Sequence, residues 1–395
     1  MQRFSRLHLV VLGLLVSALI LGIGWWMRRR PAQPLVAAQR LPVARALAGS
    51  GIDSAGFKRA TNKRTFSFPA DHGPHPDYQT EWWYYTGNLS SADGHSYGYQ
   101  FTIFRTGLSA TPPARASKLA ATDVYLGHFA FTDGPHQHFY AHSQAARGGG
   151  LGVAGASGEP YRIFVNNWQV EGSGDQVQVT AATDQITLSL KLRTLKPPTL
   201  QGDDGLQQQG TARGNAAYYY SFTRMVTEGT VVIEGKPVAV TGLSWFDHEW
   251  GTQSLGPGQI GWNWFALHLP DGRDVMWYEF LRADGTVDRQ FGQGSITAGD
   301  GSVKRLRPKD VQVETLGSWS SPNTGTRYPA RWRLQIPNDR LDVQIEPLIA
   351  DQELRVGLVY WEGAVTVHGM SNGQPVTGSG YVELAGYADM QAARQ

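Results

Sequence analysis

WWYYTGNLSSADG (residues 82–94) and WNWFALHLPDG (residues 262–272) decide how this chain folds. Each is an aromatic run that reaches a leucine and then an Asp-Gly pair. Asp-Gly between aromatic or β-branched runs is a strong local hairpin signal, because glycine accepts the left-handed backbone of a tight turn. A second aromatic segment ending in arginine follows each one, HSYGYQFTIFR (95–105) and RDVMWYEFLR (273–282). Further on, EGTVVIEGKPVAVTGLSWFD (228–247) is echoed by EGAVTVHGMSNGQPVTGSGYVE (362–383). The matches come in the same order, hairpin first and closing strands last, which points to tandem duplication. The copies read as a first domain over 64–250 and a second over 251–395.

Strand signals dominate within each copy: YRIFVNNWQVEG, QVQVTAAT, ITLSLKLRTL, LDVQIEPLI and GLVYWEGAVTV. About eight antiparallel strands per copy predict an all-β chain of two up-and-down barrels, each filled by side chains or holding one small apolar ligand. The 47 Gly, 13 Trp, 16 Tyr and 15 Phe fit many short strands joined by turns. Charged residues are only 17%, against the roughly 25% of ordinary soluble domains. A net charge of +2 gives no reason to expect a nucleic-acid partner. Without cysteine the chain has no disulfide, thiolate nucleophile or Cys-ligated zinc.

The N-terminus carries LHLVVLGLLVSALILGIGWW, Leu7 to Trp26, 20 residues and mostly apolar. That is about the ~20 needed to cross a bilayer, with Trp25 and Trp26 where an interfacial aromatic belt belongs. Residues 1–30 therefore read as a transmembrane anchor and 31–63, rich in Pro, Ala, Gly and Arg, as a tether. The expected location is the cell envelope, anchored in the inner membrane with the body in the periplasm. Cleavage near Val36-Ala37-Ala38 would instead release it as a secreted protein.

Two familiar motifs fail on context. GMSNG (369–373) fits G-x-S-x-G, but Asn372-Gly373 is a hairpin turn and no helix follows. GPGQIG (256–261) fits G-x-G-x-x-G, but the aromatic strand WNWFALHL follows it. In DHGPHPDYQTEWWYY (71–85), Asp71, His72, His75 and Asp77 have no recognisable metal spacing, so no metal and no cofactor are expected.

Chemistry concentrates in SWFDHEWG (244–251). If the strand continues through it, side chains alternate. Trp245, Asp247 and Glu249 then share one face, and Phe246, His248 and Trp250 the other. Two carboxyls at i and i+2 raise each other's proton affinity. In the first hairpin Glu81, Trp83 and Tyr85 share a face; Tyr278 and Glu279 lie in the matching hairpin of the second copy. A carboxyl among Trp and Tyr rings is held protonated by desolvation and is suited to general-acid work. The alternative is that Asp247, His248 and Glu249 lock a buried corner through hydrogen bonds.

HPDYQTEWWYYTGNL, YQFTIFR, WFDHEWG, GWNWFALHLPDGRDVMWYEFLR and YWEGAVTVHG…GSGYVELAGY together resemble the AttH-like and carotenoid 1,2-hydratase family, over about residues 66–388. The resemblance implies two lipocalin-like barrels packed together. In the hydratase branch it implies cofactor-free addition of water to an isolated carbon–carbon double bond at a polyene end. A carboxylic acid protonates the alkene, aromatic faces stabilise the tertiary cation, and water attacks. Carried over by position, the family's H-x-W segment falls on His248 and Trp250, and its hairpin aromatic and acid fall on Trp277 and Glu279. Here the chain departs from the hydratases, which have Tyr and Asp; a one-residue shift makes Tyr278 the aromatic. The resemblance also implies lipid handling at the envelope beside membrane-transporter components.

Two functions are expected from this reading. One is an envelope-anchored carrier that binds a long apolar ligand in a barrel through Trp83, Tyr85, Trp245, Trp250, Trp264, Trp277 and Tyr278. The other is a hydratase or hydrolase of such a ligand, with Asp247, His248, Glu249 and Glu279 as its catalytic candidates.

Overall fold

The computed structural model describes residues 53–111, 121–252 and 255–392, and all of these lie within one compact unit, Pro42–Gln395. The anchor expected at Leu7–Trp26 lies outside the described residues; among those described, no helix is long and apolar enough to cross a membrane. The chain is all-β, in two curled antiparallel sheets.

The first sheet begins with β1 (Thr80–Ser91), β2 (Ser96–Gly107), β3 (Asp123–Asp133) and β4 (His138–Arg147). The short strands β5 (Ala154–Gly158), β6 (Tyr161–Val165) and β7 (Trp168–Gly172) follow, then β8 (Gln176–Ala182) and β9 (Ile186–Thr194). After β10 (Thr199–Leu200) and β11 (Leu206–Gln208), the long strands β12 (Ala216–Ile233) and β13 (Lys236–Gly251) complete it. Their order is β4-β3-β2-β1-β13-β12-β9-β8-β7-β6-β5, with β10 and β11 also paired to β12. The sheet curls until its ends nearly meet. A Cβ on Gly127 of β3 would touch Val165 of β6, and Gln144 of β4 hydrogen-bonds Asn166 and Asn167 after β6.

The second sheet contains β14 (Gln259–His268), β15 (Asp274–Arg282), β16 (Val287–Thr297), β17 (Val303–Leu306) and β18 (Gln312–Ser320). It continues with β19 (Arg327–Ile336), β20 (Leu341–Pro347), β21 (Glu353–Arg355), β22 (Val359–Ser371) and β23 (Gln374–Ala385). Its order is β17-β16-β15-β14-β23-β22-β20-β19-β18, with β21 also on β22. It curls into a half-barrel whose end strands, β17 and β18, are not paired with each other.

The repeat is visible in the pairing. The first strand of each sheet lies between its own hairpin partner and the last strand of that sheet: β1 between β2 and β13, β14 between β15 and β23. Both Asp-Gly turns form, with Gly94 at φ 84° and Gly272 at φ 86°. In register, Tyr84 faces Asp247 across the first pair, and Trp264 faces Glu383 across the second. Asp247 and Glu383 are thus equivalent positions of the two copies.

Alternation along the central strands sorts side chains into separate interiors. Trp83, Tyr85, Phe246 and Trp250 point into the first barrel, whose inside is packed with rings. Phe265, Leu267, Trp277 and Leu281 point into the concave side of the second sheet. The opposite faces meet between the sheets, where Tyr84, Tyr219, Trp245, Trp264, Tyr278 and Tyr381 form a third core. The segment read as a tether packs on the first barrel from about residue 53, with Phe57 and Ala60 buried and Lys58 joined to Asp77 by backbone.

A buried ionic knot ties the sheets. Asp274, at the end of the second Asp-Gly hairpin, accepts from Lys196 (2.5 Å), Arg224 (2.7 Å), Thr223 (2.9 Å) and His268 (3.0 Å). Lys196 also donates to the Gly272 carbonyl, and Arg224 to those of Leu269 and Arg273. The first sheet therefore grips the turn of the second.

Candidate active site

The strand β13 runs unbroken through Gly251, so the alternation in SWFDHEWG is realised in three dimensions. Asp247 and Glu249 emerge on the inter-sheet face, about 7 Å apart along the strand. They enter a cavity of about 80 Å³ between the sheets, lined also by Trp82, Tyr84, Tyr219, Trp262, Trp264, Tyr278 and Glu383. That volume admits a small group or a few waters, not a whole long-chain molecule. Its rim is apolar and half-buried, made by Trp82, Phe104, Leu255 and Trp262.

Asp247 accepts from three donors: the Ser221 hydroxyl (2.5 Å), the Tyr219 hydroxyl (2.6 Å) and the Trp245 indole N–H (2.7 Å). Burial pushes its carboxyl up to about 7, against the pull of these three bonds. Among the described residues Glu249 has one donor, the Gln209 amide (2.8 Å). Burial, reinforced by the charges of Asp247 and Glu383, pushes it to about 8. Glu383 rises to about 8 as well, mainly by burial, although Trp262 donates to it. Behind it, Glu362 accepts from the Tyr84 hydroxyl (2.8 Å) and is raised by burial and by Glu383. At neutral pH such a site holds protonated carboxylic acids beside one carboxyl poised to ionise. The side-chain oxygens of Gln207 and Gln209, on the same cavity, are buried without a donor among the described residues.

Of the sequence candidates, Asp247, Glu249, Trp264 and Tyr278 line this cavity, and Trp245 holds Asp247. The structure does not bring His248 or Glu279 to it. Glu279 faces the concave core of the second sheet, bonded to Asn263 (3.1 Å) and Trp277 (3.5 Å), and burial raises its pKa. Trp83, Tyr85, Trp250 and His248 face the interior of the first barrel, where Trp83 stacks on His248 at 4.9 Å.

There a second polar cluster gathers. His248 Nε2 lies 2.9 Å from Glu81 Oε1, and His75 Nδ1 lies 2.7 Å from the same oxygen. The backbone N–H of His75 donates to both Glu81 oxygens, and Arg105 approaches Oε2 at 3.4 Å. Burial opposes ionisation of Glu81, yet the hydrogen bonds from His248 and His75 hold it far below the usual range. His248 is lowered, chiefly by burial.

Sequence reasoning missed Glu383, Glu362, Gln207 and Gln209 in the first site, and Glu81 as the partner of both histidines in the second. Glu383 had a signal. It lies near the end of the closing strand of the second copy, where the matched repeat segments end on Asp247 and Glu383, so the repeat marked it.

A sequence model of the AttH-like family matches residues 59–387. The chain belongs to that family. In keeping with an AttH-like chain, the crystal structure of a protein described as an AttH from Nitrosomonas europaea is similar over 84% of this chain and 100% of that one. Their sequence identity is 29% and the TM-score 0.73. Kievitone hydratase from Nectria haematococca shares the fold, with 16% identity, coverage of 85% and 99%, and a TM-score of 0.63. No curated protein matches this AttH-like sequence.

Proposed function

We infer that the protein binds a long apolar, unsaturated molecule at the inter-sheet rim and adds water across one of its carbon–carbon double bonds. The observation that carries this reading is the pair Asp247 and Glu249. They are two carboxyls of different proton affinity on one strand face, opening into an aromatic cavity. Glu249 gives its proton to one alkene carbon, leaving a cation on the other. The faces of Trp82, Trp264 and Tyr219 supply π density to that charge. Asp247 takes a proton from water as its oxygen bonds to the cationic carbon, and proton return to Glu249 restores the site. The cavity receives the reacting end, and the half-buried rings of the rim take the rest of the chain. Kievitone hydratase, named for water addition, has the same fold, which agrees with this chemistry without assigning it.

An anchor at Leu7–Trp26 would hold the site at an envelope membrane, where apolar substrates reside. The carrier reading shares the rim and cavity but needs no ionisable pair. Incubating the full-length chain with an acyclic isoprenoid polyene in heavy-oxygen water separates the two. Labelled alcohol that disappears in Glu249→Gln supports hydration. Binding without labelled product supports the carrier, and absence of binding overturns both.

A further inference from the structure

His75, Glu81 and His248 come from three places: the loop before β1, β1 itself and β13. Their side-chain donors converge so that one nitrogen of each ring and one carboxylate oxygen all lie within 4.8 Å of one another. The remaining nitrogen of each ring is held by Asp71. His75 Nε2 lies 3.1 Å from Asp71 Oδ1, and His248 Nδ1 lies 3.1 Å from the Asp71 carbonyl. Asp71 is itself pinned by Arg64 (2.7 Å) and the Ser67 N–H (2.6 Å).

This arrangement is short of hydrogen-bond donors. Both nitrogens of His75 face carboxylate oxygens. His248 Nε2 faces the Glu81 carboxylate, and its Nδ1 lies between the Asp71 carbonyl (3.1 Å) and the Tyr220 hydroxyl (3.3 Å), which can donate to it. Neutral imidazole has one N–H and one lone pair, so a neutral His75 sets a lone pair against an oxygen lone pair. Satisfying both contacts of His75 with protons alone needs an imidazolium ion in this largely buried site, its ring centre 5.5 Å from that of His248. A divalent cation satisfies it with neutral rings. It takes the lone pairs of His75 Nδ1, His248 Nε2 and Glu81 Oε1, while the other two ring N–H groups donate to Asp71. Such outer partners commonly fix the tautomer of metal-binding histidines.

An independent observation lies beside the cluster. The Trp250 indole, stacked on His75 at 3.7 Å and 4.8 Å from the His248 ring, is fully buried and its N–H has no acceptor among the described residues. A two-histidine, one-carboxylate set leaves a fourth position for water or an anion, which supplies an acceptor.

We propose that His75, Glu81 and His248 form a binding site for a zinc-class divalent cation inside the first barrel, apart from the inter-sheet carboxyls. Metal–ligand bonds of about 2.0–2.1 Å set tetrahedral ligand atoms roughly 3.3 Å apart, so Glu81 Oε1 would move about half an ångström away from each ring nitrogen. His75 sits on a loop and is the least buried of them, which gives the ion its way in.

The test uses the full-length chain, stripped with chelator and titrated with Zn²⁺ and then Co²⁺. One ion per chain is expected, with the intense visible absorption of four-coordinate cobalt and a rise in melting temperature on adding zinc. His75→Ala, in the loop, and the near-isosteric Glu81→Gln should each weaken binding at least tenfold, with circular dichroism reporting the fold. His136→Ala, at an exposed histidine, should leave binding unchanged. Binding well below one ion per chain in the parent protein overturns the proposal. So does undiminished affinity in folded Glu81→Gln.

Discussion

Asp247 takes hydrogen bonds from Ser221, Tyr219 and Trp245, whereas Glu249, two residues on along the same strand face, takes one from Gln209. Three donors favour the anion at Asp247. A single donor leaves Glu249 to the full effect of burial and of its acidic neighbours. The same cavity thus separates the proton affinities of two like groups, which makes one the base and the other the acid.

Hydration by this pair requires Asp247 ionised and Glu249 protonated. The rate should rise through about pH 7 and fall through about pH 8. Glu249→Gln should lower kcat by roughly 10²–10⁴-fold and remove the alkaline limb. A stopped-assay pH profile of both proteins checks this.

Tyr219→Phe removes a donor to Asp247 and the acceptor of the Trp264 indole N–H. With less support for its anion, Asp247 should titrate higher, moving the acid limb of the profile up. The lost bonds should cost about 1–2 kcal/mol of stability, measurable by denaturant unfolding.

Glu249 and Glu383 bind their protons more tightly in the folded chain than in the unfolded one, because burial raises both from 4.5 to about 8. The folded state therefore holds more protons between those values, and stability falls as pH rises from about 4.5 to 8. Below that window the effect is absent. Glu249→Gln should flatten the decline, by a few kcal/mol at pH 8 on the scale of about 1.4 kcal/mol per pKa unit. Melting temperatures across pH 4.5 to 8.5 read it directly.

Asp274 is the shared acceptor of Lys196 and Arg224, both pinned where the first sheet meets the second hairpin. Asp274→Ala leaves two cations without their carboxylate and should cost about 3–5 kcal/mol. Asp274→Asn keeps the shape but not the charge and should still destabilise. Calorimetry distinguishes both from the parent.

Much of the fold was written locally. The Asp-Gly turns, the aromatic runs beside them and the two-residue alternation from Trp245 to Trp250 depend on neighbours a few positions apart. They could be read from the chain, and the repeat gave the strand equivalences. The alternation also separated Asp247 and Glu249 from His248. It could not say which face meets the second sheet and which fills the first barrel.

By itself the sequence determined a duplicated all-β chain with acids set among tryptophans, because hydrophobic period and turn chemistry are properties of short stretches. Tertiary structure alone decided that Glu383 joins Asp247 and Glu249 in one cavity, and that Glu279 does not. It alone brought His75, from a Pro- and Gly-rich loop with no period, against Glu81 and His248. These partners lie up to 173 residues apart, as for His75 and His248, and only the curl of two sheets and their face-to-face packing sets which side chains meet.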